Sequence, residues 1–218
     1  MDPIPAMSET RVIIVDDHPL FRDALSQTLT MAVKTIAVDQ AASLDELNAQ
    51  LESGAAIDLV LLDLNMPGVQ GFSGLMYLRA QYPQVPVVVV SATEDVKTIR
   101  RCLELKASGF IPKSQPAAAI REALKCVLDG GVWTPPGFDI GPGAAALSPA
   151  AERLAALTPQ QMRVLMMLGE GLLNKQIAYK LDVSEATVKA HVSAILQKLG
   201  VDSRTQAVIA MSKLAVRE

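Results

Sequence analysis

Short, unbroken apolar runs alternate with amphipathic stretches through the first 130 residues of the chain. Arg11 to Val15, Lys34 to Ala41, Leu59 to Asp63, Pro86 to Ser91 and Gly109 to Ile111 are short and bounded by polar or turn residues. These read as strands, and the continuous run that ends in Asp63 reads as one buried on both faces. Between them apolar positions recur at helical spacing. Pro19 opens one helix, with Phe21, Ala24, Leu25, Thr28 and Leu29 in register to about Met31. Ser43 caps another through about Glu52, with Glu46 three residues on as in a capping box. Further helices are predicted over Phe72 to Gln81, Glu94 to Leu105 and Gln115 to Leu128. Five alternations of strand and helix predict a doubly wound five-stranded parallel sheet with right-handed crossovers.

The pattern then changes. Gly130-Gly131, Pro135-Pro136-Gly137 and Gly141-Pro142-Gly143 precede Ala-rich sequence, which reads as a linker over 131–156. Trp133 is expected to anchor its start, and Pro149 to Ala156 can form a short helix. From Thr158 the pattern is helical only. Thr158-Pro159 is an N-cap followed by proline, leading into Val164, Leu165 and Leu168 and ending near Gly169 to Gly171. Asn174 to Leu181, Ser184 to Leu199 (stopped by Gly200) and Arg204 to Ala215 complete four helices. A short helix, a tight turn and a longer helix form a helix-turn-helix candidate. The expected division is 8–130, a linker over 131–156, and 157–218.

Charge sharpens that division. Residues 1–130 hold 11 Lys and Arg against 16 Asp and Glu, a net −5; residues 158–218 hold 8 against 5, a net +3. A basic tail after an acidic front points to nucleic acid as the tail's partner. No apolar run approaches the roughly 18 residues that span a bilayer. The first ten residues lack the basic and apolar parts of a secretory signal, so the cytoplasm is the expected compartment and no membrane partner is expected. Met1 to Ala6 read as an addition ahead of a native start at Met7. Cys102 and Cys126 have no metal-ligand spacing and read as helix thiols in a reducing environment.

The strand ends carry the chemistry. Asp16, Asp17, Asp63, Ser91 and Lys113 all follow predicted strands, so a parallel sheet brings them to one edge. Crowded carboxylates call for a cation, and oxygen-only ligands favour Mg²⁺. An ionised Asp63 beside it is a nucleophile for a phosphoryl group, with Lys113 neutralising charge and the Ser91 hydroxyl donating to a phosphoryl oxygen. His18 is expected to line the loop beside the acidic pair. A phosphatase of the haloacid-dehalogenase type shares this look. It needs a second Asp two residues after the nucleophile, and that position is Asn65 here.

Asp16-Asp17, Asp63 with Met66-Pro67 and Gly71, Ser91-Ala92, and Phe110-Ile111-Pro112-Lys113 together resemble the response-regulator receiver domains of two-component signalling, over about residues 10–130. The resemblance implies a flavodoxin-like fold. It makes Asp63 the phosphate acceptor, phosphorylated by a partner sensor histidine kinase with Mg²⁺ as cofactor. Asp17 would ligate the metal directly, Asp16 through water, and Asn65 through its backbone carbonyl. Ser91 and Phe110, in place of the commoner Thr and Tyr, would form the switch. Asn65 and Thr93 sit where relatives tune phosphoryl lifetime. Self-phosphorylation from a phosphodonor would be the chain's only chemistry; it is not expected to be an enzyme otherwise.

In the tail, Val188, Val192, Ile195, Leu196 and Leu199 form one apolar stripe, and Ala186, Ala190, Ser193 and Gln197 face the other way with Lys189 on the shoulder. A helix with such a small-residue face fits the major groove. Leu157-Thr158-Pro159, Asn174-Lys175-Gln176-Ile177-Ala178, Thr187 to Val192, Leu199-Gly200-Val201 and Arg204 to Ala207 resemble the DNA-binding domain of the LuxR/NarL/FixJ regulators. The resemblance implies that Lys189, Ala190 and Ser193 face base edges, while Asn174, Lys175 and Thr187 hold the backbone of double-stranded DNA. Gln160-Gln161 replace the usual Arg-Glu, which is expected to weaken a local salt bridge. His191 is expected to pack within the domain. A homodimer on an inverted-repeat operator is expected, with Val208, Ile209, Met211 and Leu214 as the dimer face and RNA polymerase as a possible contact. In relatives the resting receiver can cover the reading helix or the dimer face. A second reading, a regulator active without phosphorylation and gated by a partner or ligand, stays open beside this one.

Overall fold

The structure, a computed structural model, describes residues 9–33, 35–67, 69, 71–138 and 149–215. Met1 to Met7, Lys34, Gly68 and Gly141-Pro142-Gly143 lie outside them. Strands β1 (Thr10–Val15), β2 (Ile36–Ala41), β3 (Leu59–Leu62), β4 (Val87–Ser91) and β5 (Gly109–Pro112) form one parallel sheet in the order β2-β1-β3-β4-β5. From β1 the chain steps outward to β2, then returns past β1 to β3. That reversal puts a crevice at the carboxyl ends of β1 and β3. Val15 pairs with Leu62 and Ser91 with Pro112, so Asp16, Asp63 and Lys113 leave the sheet at one edge.

Helices α1 (Pro19–Ala32), α2 (Leu44–Glu52), α3 (Ser73–Gln81), α4 (Val96–Glu104) and α5 (Ala117–Leu128) cover both faces. Val12, Ile14, Leu61, Val88, Val90 and Ile111 pack with Leu25, Leu29 and Leu124 on one side. Ile13, Val15, Val60, Leu62, Val87 and Val89 pack with Leu47, Leu75, Leu78 and Ile99 on the other. Successive residues of β3, β4 and β5 point to opposite faces and both are buried, which is why those runs are unbroken; β2, at the sheet edge, is only partly buried before Ala41 and carries Asp39 and Gln40. Helix α4 begins at Val96, not Glu94, because the shorter Asp95 accepts from the Thr98 N–H at 2.9 Å as its N-cap. Helix α5 likewise starts at Ala117 behind Pro116, two residues later than the pattern predicts. Trp133 is buried, and its backbone pairs with Gly109; a Cβ on Gly109 would lie 2.9 Å from the Trp133 carbonyl.

The tail holds α6 (Pro149–Ala155), α7 (Pro159–Gly169), α8 (Asn174–Leu181), α9 (Glu185–Leu199) and α10 (Arg204–Ala215). Thr158 and Gln161 form a reciprocal capping box on α7, and Ser184 caps α9. Asp182 turns the chain between α8 and α9 in the left-handed region, φ 52°, and Gly200 ends α9 at φ 66°. The short helix predicted inside the linker forms as α6, and it packs on α9 and α10. Leu154 is buried, and the Arg153 Nη1 donates to the Leu199 carbonyl at 3.3 Å. Helices α6 and α7 also lie against α3 of the sheet domain, so Ser73 through Leu78 are buried without interruption.

Candidate functional site

The crevice gathers the strand-end residues. Asp16 and Asp63 are almost fully buried, at 1% and 2% exposure. Lys113 reaches back from the end of β5 and places its Nζ 2.6 Å from Asp16 Oδ2 and 2.8 Å from Asp63 Oδ2. The Phe21 ring, one turn into α1, lies under the same ammonium at 4.6 Å. Sequence reasoning placed Phe21 only in the helix register; nothing local marks it as part of this site. The Asn65 N–H donates to Asp63 Oδ1 at 3.2 Å, and the Asn65 side chain is exposed. His18 lines the acidic pair as expected, with Nδ1 at 2.8 Å from Asp17 Oδ1 and 3.1 Å from Asp16 Oδ1. The Arg22 Nη1 donates to the Asp16 carbonyl, a support the sequence did not reveal.

Ser91 is fully buried, and its hydroxyl accepts from the Thr93 N–H at 3.2 Å. Its carbonyl accepts from the Lys113 N–H at 2.8 Å, which ties the ends of β4 and β5 together. Phe110 is fully buried. Phenylalanine has no hydroxyl to hold at the surface, and burial of the ring is favourable.

Burial holds the Asp63 carboxyl above the usual carboxylate range, and Asp16 adds to this; the Lys113 ammonium and the Asn65 N–H oppose it. Burial alone would lower Lys113, but hydrogen bonds and charge from Asp16 and Asp63 outweigh it and raise its pKa. The two shifts agree physically, since one cation serves two carboxylates and leaves a net negative pocket. One ligand atom from each of Asp16, Asp17, His18 and Asp63 falls within 4.8 Å of the others. Three carboxylates in that span, rich in oxygen and short of positive charge, suit a hard divalent cation.

In the tail, Val188, Ile195 and Leu199 are buried, with Val192 and Leu196 partly so. Thr187, Lys189, Ala190, Ser193 and Lys175 are exposed and Asn174 partly exposed. Among the described residues the tail meets the sheet domain through α6 and α7 against α3, with Arg163 Nη2 3.8 Å from Asp45 Oδ1 of α2, and the α9 face that carries Lys189, Ala190 and Ser193 is exposed. Lys189 meets Glu185 one turn earlier at 3.0 Å. Gln161 Oε1 accepts from Lys198 Nζ at 2.8 Å, a hydrogen bond to a neutral amide in place of an ion pair. His191 is partly buried, Ile209 is 46% exposed, Met211 is buried, and the Leu214 side chain lies outside the described residues.

The family model for the response regulator receiver domain matches residues 12–125, and that for bacterial regulatory proteins of the luxR family matches residues 155–211. The glycerol metabolism activator of Pseudomonas putida is 42% identical over 206 residues, covering 91% of this chain and 93% of its own length. The chain belongs to the LuxR-type response regulators. The nitrate/nitrite response regulator protein NarL of Escherichia coli K12 is 31% identical over 201 residues, covering 91% of this regulator and 93% of NarL. A LuxR family DNA-binding response regulator from Silicibacter pomeroyi, 32% identical with a TM-score of 0.52, covers 60% of this regulator and 99% of its own chain. The fold is also that of RcsB, in a structure of two RcsB dimers bound to two parallel DNAs: TM-score 0.55, 23% identity, 94% and 98% covered. The regulator is thus a two-component, DNA-binding transcription regulator with a flavodoxin-like receiver and a helix-turn-helix tail, and its relatives are regulators, not enzymes. No described helix is long and apolar enough to cross a membrane.

Proposed function

We propose that a partner sensor histidine kinase phosphorylates Asp63 and that the aspartyl phosphate controls operator binding by the tail. The observation that carries this reading is the Asp63 carboxylate at a strand end, held by Lys113 with Asp16 beside it. In the transfer, an Asp63 oxygen attacks the donor's phosphorus, the phosphorus–nitrogen bond of a phosphohistidine breaks, and the kinase imidazole leaves. Lys113 neutralises charge on the phosphoryl oxygens and the Ser91 hydroxyl donates to one of them. The carboxylates of Asp16, Asp17 and Asp63 and the Asn65 carbonyl would hold Mg²⁺, which supplies further charge neutralisation when bound. On this reading Ser91 and Phe110 form the switch. The chain divides at 8–130, 131–156 and 157–218 and works in the cytoplasm.

Lys189, Ala190 and Ser193 would read base edges, with Asn174, Lys175 and Thr187 on the phosphates. A homodimer would occupy an inverted repeat with half-sites about 10 bp apart, where it could meet RNA polymerase. The test is intact-mass measurement after treatment with a small phosphodonor and Mg²⁺, followed by operator binding. One phosphate adduct that Asp63→Asn abolishes, with stronger binding of the modified chain, supports the reading. Labelling of the variant to wild-type extent would sink it. The full burial of Phe110 favours keeping a second reading, in which the domains are gated by a partner without phosphorylation. Equal operator affinity with and without the adduct would select it.

A further inference from the structure

One stripe of α7 is apolar in the middle and charged at both ends. Arg163, Met166, Met167 and Glu170 recur at helical spacing, and the two methionines are buried. Facing them, α2 presents Asp45 and Asn48 one turn apart, and α3 presents Tyr77. Asn48 holds a buried position of α2 between Leu44 and Leu51, which packing alone would fill with another apolar side chain. A cavity of about 70 Å³ lies between these surfaces. Asn48 and Tyr77, each 4% exposed, form its floor. Asp45, Arg163, Glu170 and Lys180 of α8 are more exposed and surround its mouth.

The polar groups of this cavity are under-served. Burial pushes the Tyr77 hydroxyl up to about 12, with Arg163 and a hydrogen bond with Asn48 opposing the shift. That bond uses the Asn48 amide NH₂, because its Oδ1 has no hydrogen-bond partner among the described residues. The buried Arg163 Nε has none either. Such groups cost stability unless something pairs with them. The charges are held no more tightly. Arg163 Nη2 lies 3.8 Å from Asp45 Oδ1, and Lys180 Nζ lies 4.0 Å from Glu170 Oε2. Both exceed the about 2.7–3.2 Å of an N–H to O hydrogen bond.

The cavity therefore offers an acceptor short of a donor, a donor short of an acceptor, and two ion pairs open enough to admit a third group. Its two cations and two anions sum to zero. An anion entering alone would meet Asp45 and Glu170, and a cation alone would meet Arg163 and Lys180. A molecule that carries both signs meets both needs. The volume exceeds the roughly 30 Å³ share of one water in the liquid. Leu44, Met166 and Met167 line the rest and suit a short apolar side chain.

We propose that this cavity binds a small apolar α-amino acid as its zwitterion. The carboxylate accepts from Arg163 Nε and pairs with Lys180. The ammonium donates to Asn48 Oδ1, with Asp45 and Glu170 supplying negative charge. None of these groups belongs to the acidic pocket or to the reading face of α9, so the site stands independently of the phosphoacceptor reading.

The test is calorimetric titration of the full chain with L-alanine, beside propionate and ethylamine, which keep the short apolar chain and one charge each. L-alanine is expected to bind saturably. Each single-charge probe is expected to bind about tenfold more weakly or not at all, the loss that follows when a charge-assisted hydrogen bond goes unmade. The Arg163 Nε–H resonance, assigned by its disappearance in Arg163→Lys, should shift along the same isotherm. Asn48→Leu is expected to keep cooperative thermal unfolding and to lose L-alanine binding. If Asn48→Leu does not fold, Glu170→Gln at the mouth carries the test: L-alanine should weaken about threefold, as for a partly exposed charge, and propionate should not weaken. No saturable L-alanine binding up to about 10 mM overturns the site. Equal affinity for L-alanine and either single-charge probe overturns the zwitterion. Binding that leaves the Arg163 Nε–H unmoved, or that the folded variants leave unchanged, lies elsewhere on the chain and overturns the proposal.

Discussion

Charge is handled in opposite ways at the two ends of this regulator. In the receiver pocket, two carboxylates at 1% and 2% exposure share one ammonium, each within 2.8 Å. In the tail, Lys189 stands with 65% of its side chain exposed and leans on Glu185 in a helix-surface pair. Buried charges without partners cost several kcal/mol, so the pocket has one workable arrangement of its atoms. Surface pairs contribute about 0–1 kcal/mol and are screened by salt, so Lys189 can leave Glu185 for a phosphate or a base at little cost. The pocket holds its charges in one arrangement, while the charge of Lys189 on α9 stays free to re-pair.

The sharpest way to break that contrast is at the nucleophile. Asp63→Asn is expected to abolish the phosphate adduct outright, because an amide cannot form the acyl phosphate; intact mass reads this directly. In the wild type, burial raises Asp63 above the ordinary value near 4. In the metal-free chain the Asp63 carboxyl should therefore titrate at a higher pH than an exposed aspartate, read by carboxyl-carbon NMR. Titration in the ordinary carboxylate range would count against the burial argument.

The largest stability effect is expected at Lys113. Lys113→Met leaves Asp16 and Asp63 buried without their cation and should cost about 3–5 kcal/mol at neutral pH. The sign with pH follows from linkage. Losing Lys113 raises the folded-state pKa of Asp63 further above the unfolded value. The folded chain then holds protons that the unfolded chain has lost, so stability falls as pH rises through that window. Urea unfolding should show the deficit shrinking as pH is lowered toward the ordinary carboxylate range. A deficit that grows on acidification would mean that the ion pairs do not govern this pocket.

At the other end the effects are graded. Lys189→Ala should weaken operator binding by about 1–3 kcal/mol if the side chain reads a base, with little change on scrambled DNA. If it touches phosphate alone, loss should be uniform across sequences, with a shallower salt slope. Binding isotherms at several salt concentrations separate the two, and unchanged affinity for both DNAs removes Lys189 from the interface. Gln161→Ala removes half of the capping box and an acceptor for Lys198, and should cost about 1 kcal/mol in thermal unfolding. The smallest effect is expected from Glu185→Ala, which frees Lys189 and should raise non-specific DNA affinity by a few tenths of a kcal/mol at low salt. A loss of affinity would give Glu185 a positive part in binding.

Much of this molecule was legible along the chain because its signals are local. Unbroken runs such as Leu59 to Leu62 could belong only to strands covered on both sides, and alternation with helices dictated a parallel sheet. Once the strands were parallel, Asp16, Asp63 and Lys113 had to emerge at one edge. Thr158, Ser184 and Gly200 marked helix ends by the same local logic, since capping joins residues three or four apart. The boundary at Asp95 was missed because Glu94 and Asp95 are both acidic and only backbone geometry tells which carboxylate reaches Thr98.

Other features had no local signal. Phe21 lies under Lys113 across 92 positions of sequence, and its apolar spacing in α1 is the same as that of an ordinary core residue. Phe110 is fully buried, a matter of packing volume that no spacing records. Helix α6 looked like linker because seven residues cannot bury a face alone; its place was set by the α9 and α10 surfaces it meets. The run Ser73 to Leu78 shows no face that should meet another domain, and its complete burial comes from α7, brought against it from the far side of the linker. The sequence by itself determined the elements, their order and the residues at the sheet edge, because hydrogen bonding and burial fix those within a few residues. Tertiary structure alone decided which distant surfaces share a boundary, because that depends on the fit of whole faces and on the polar groups trapped between them.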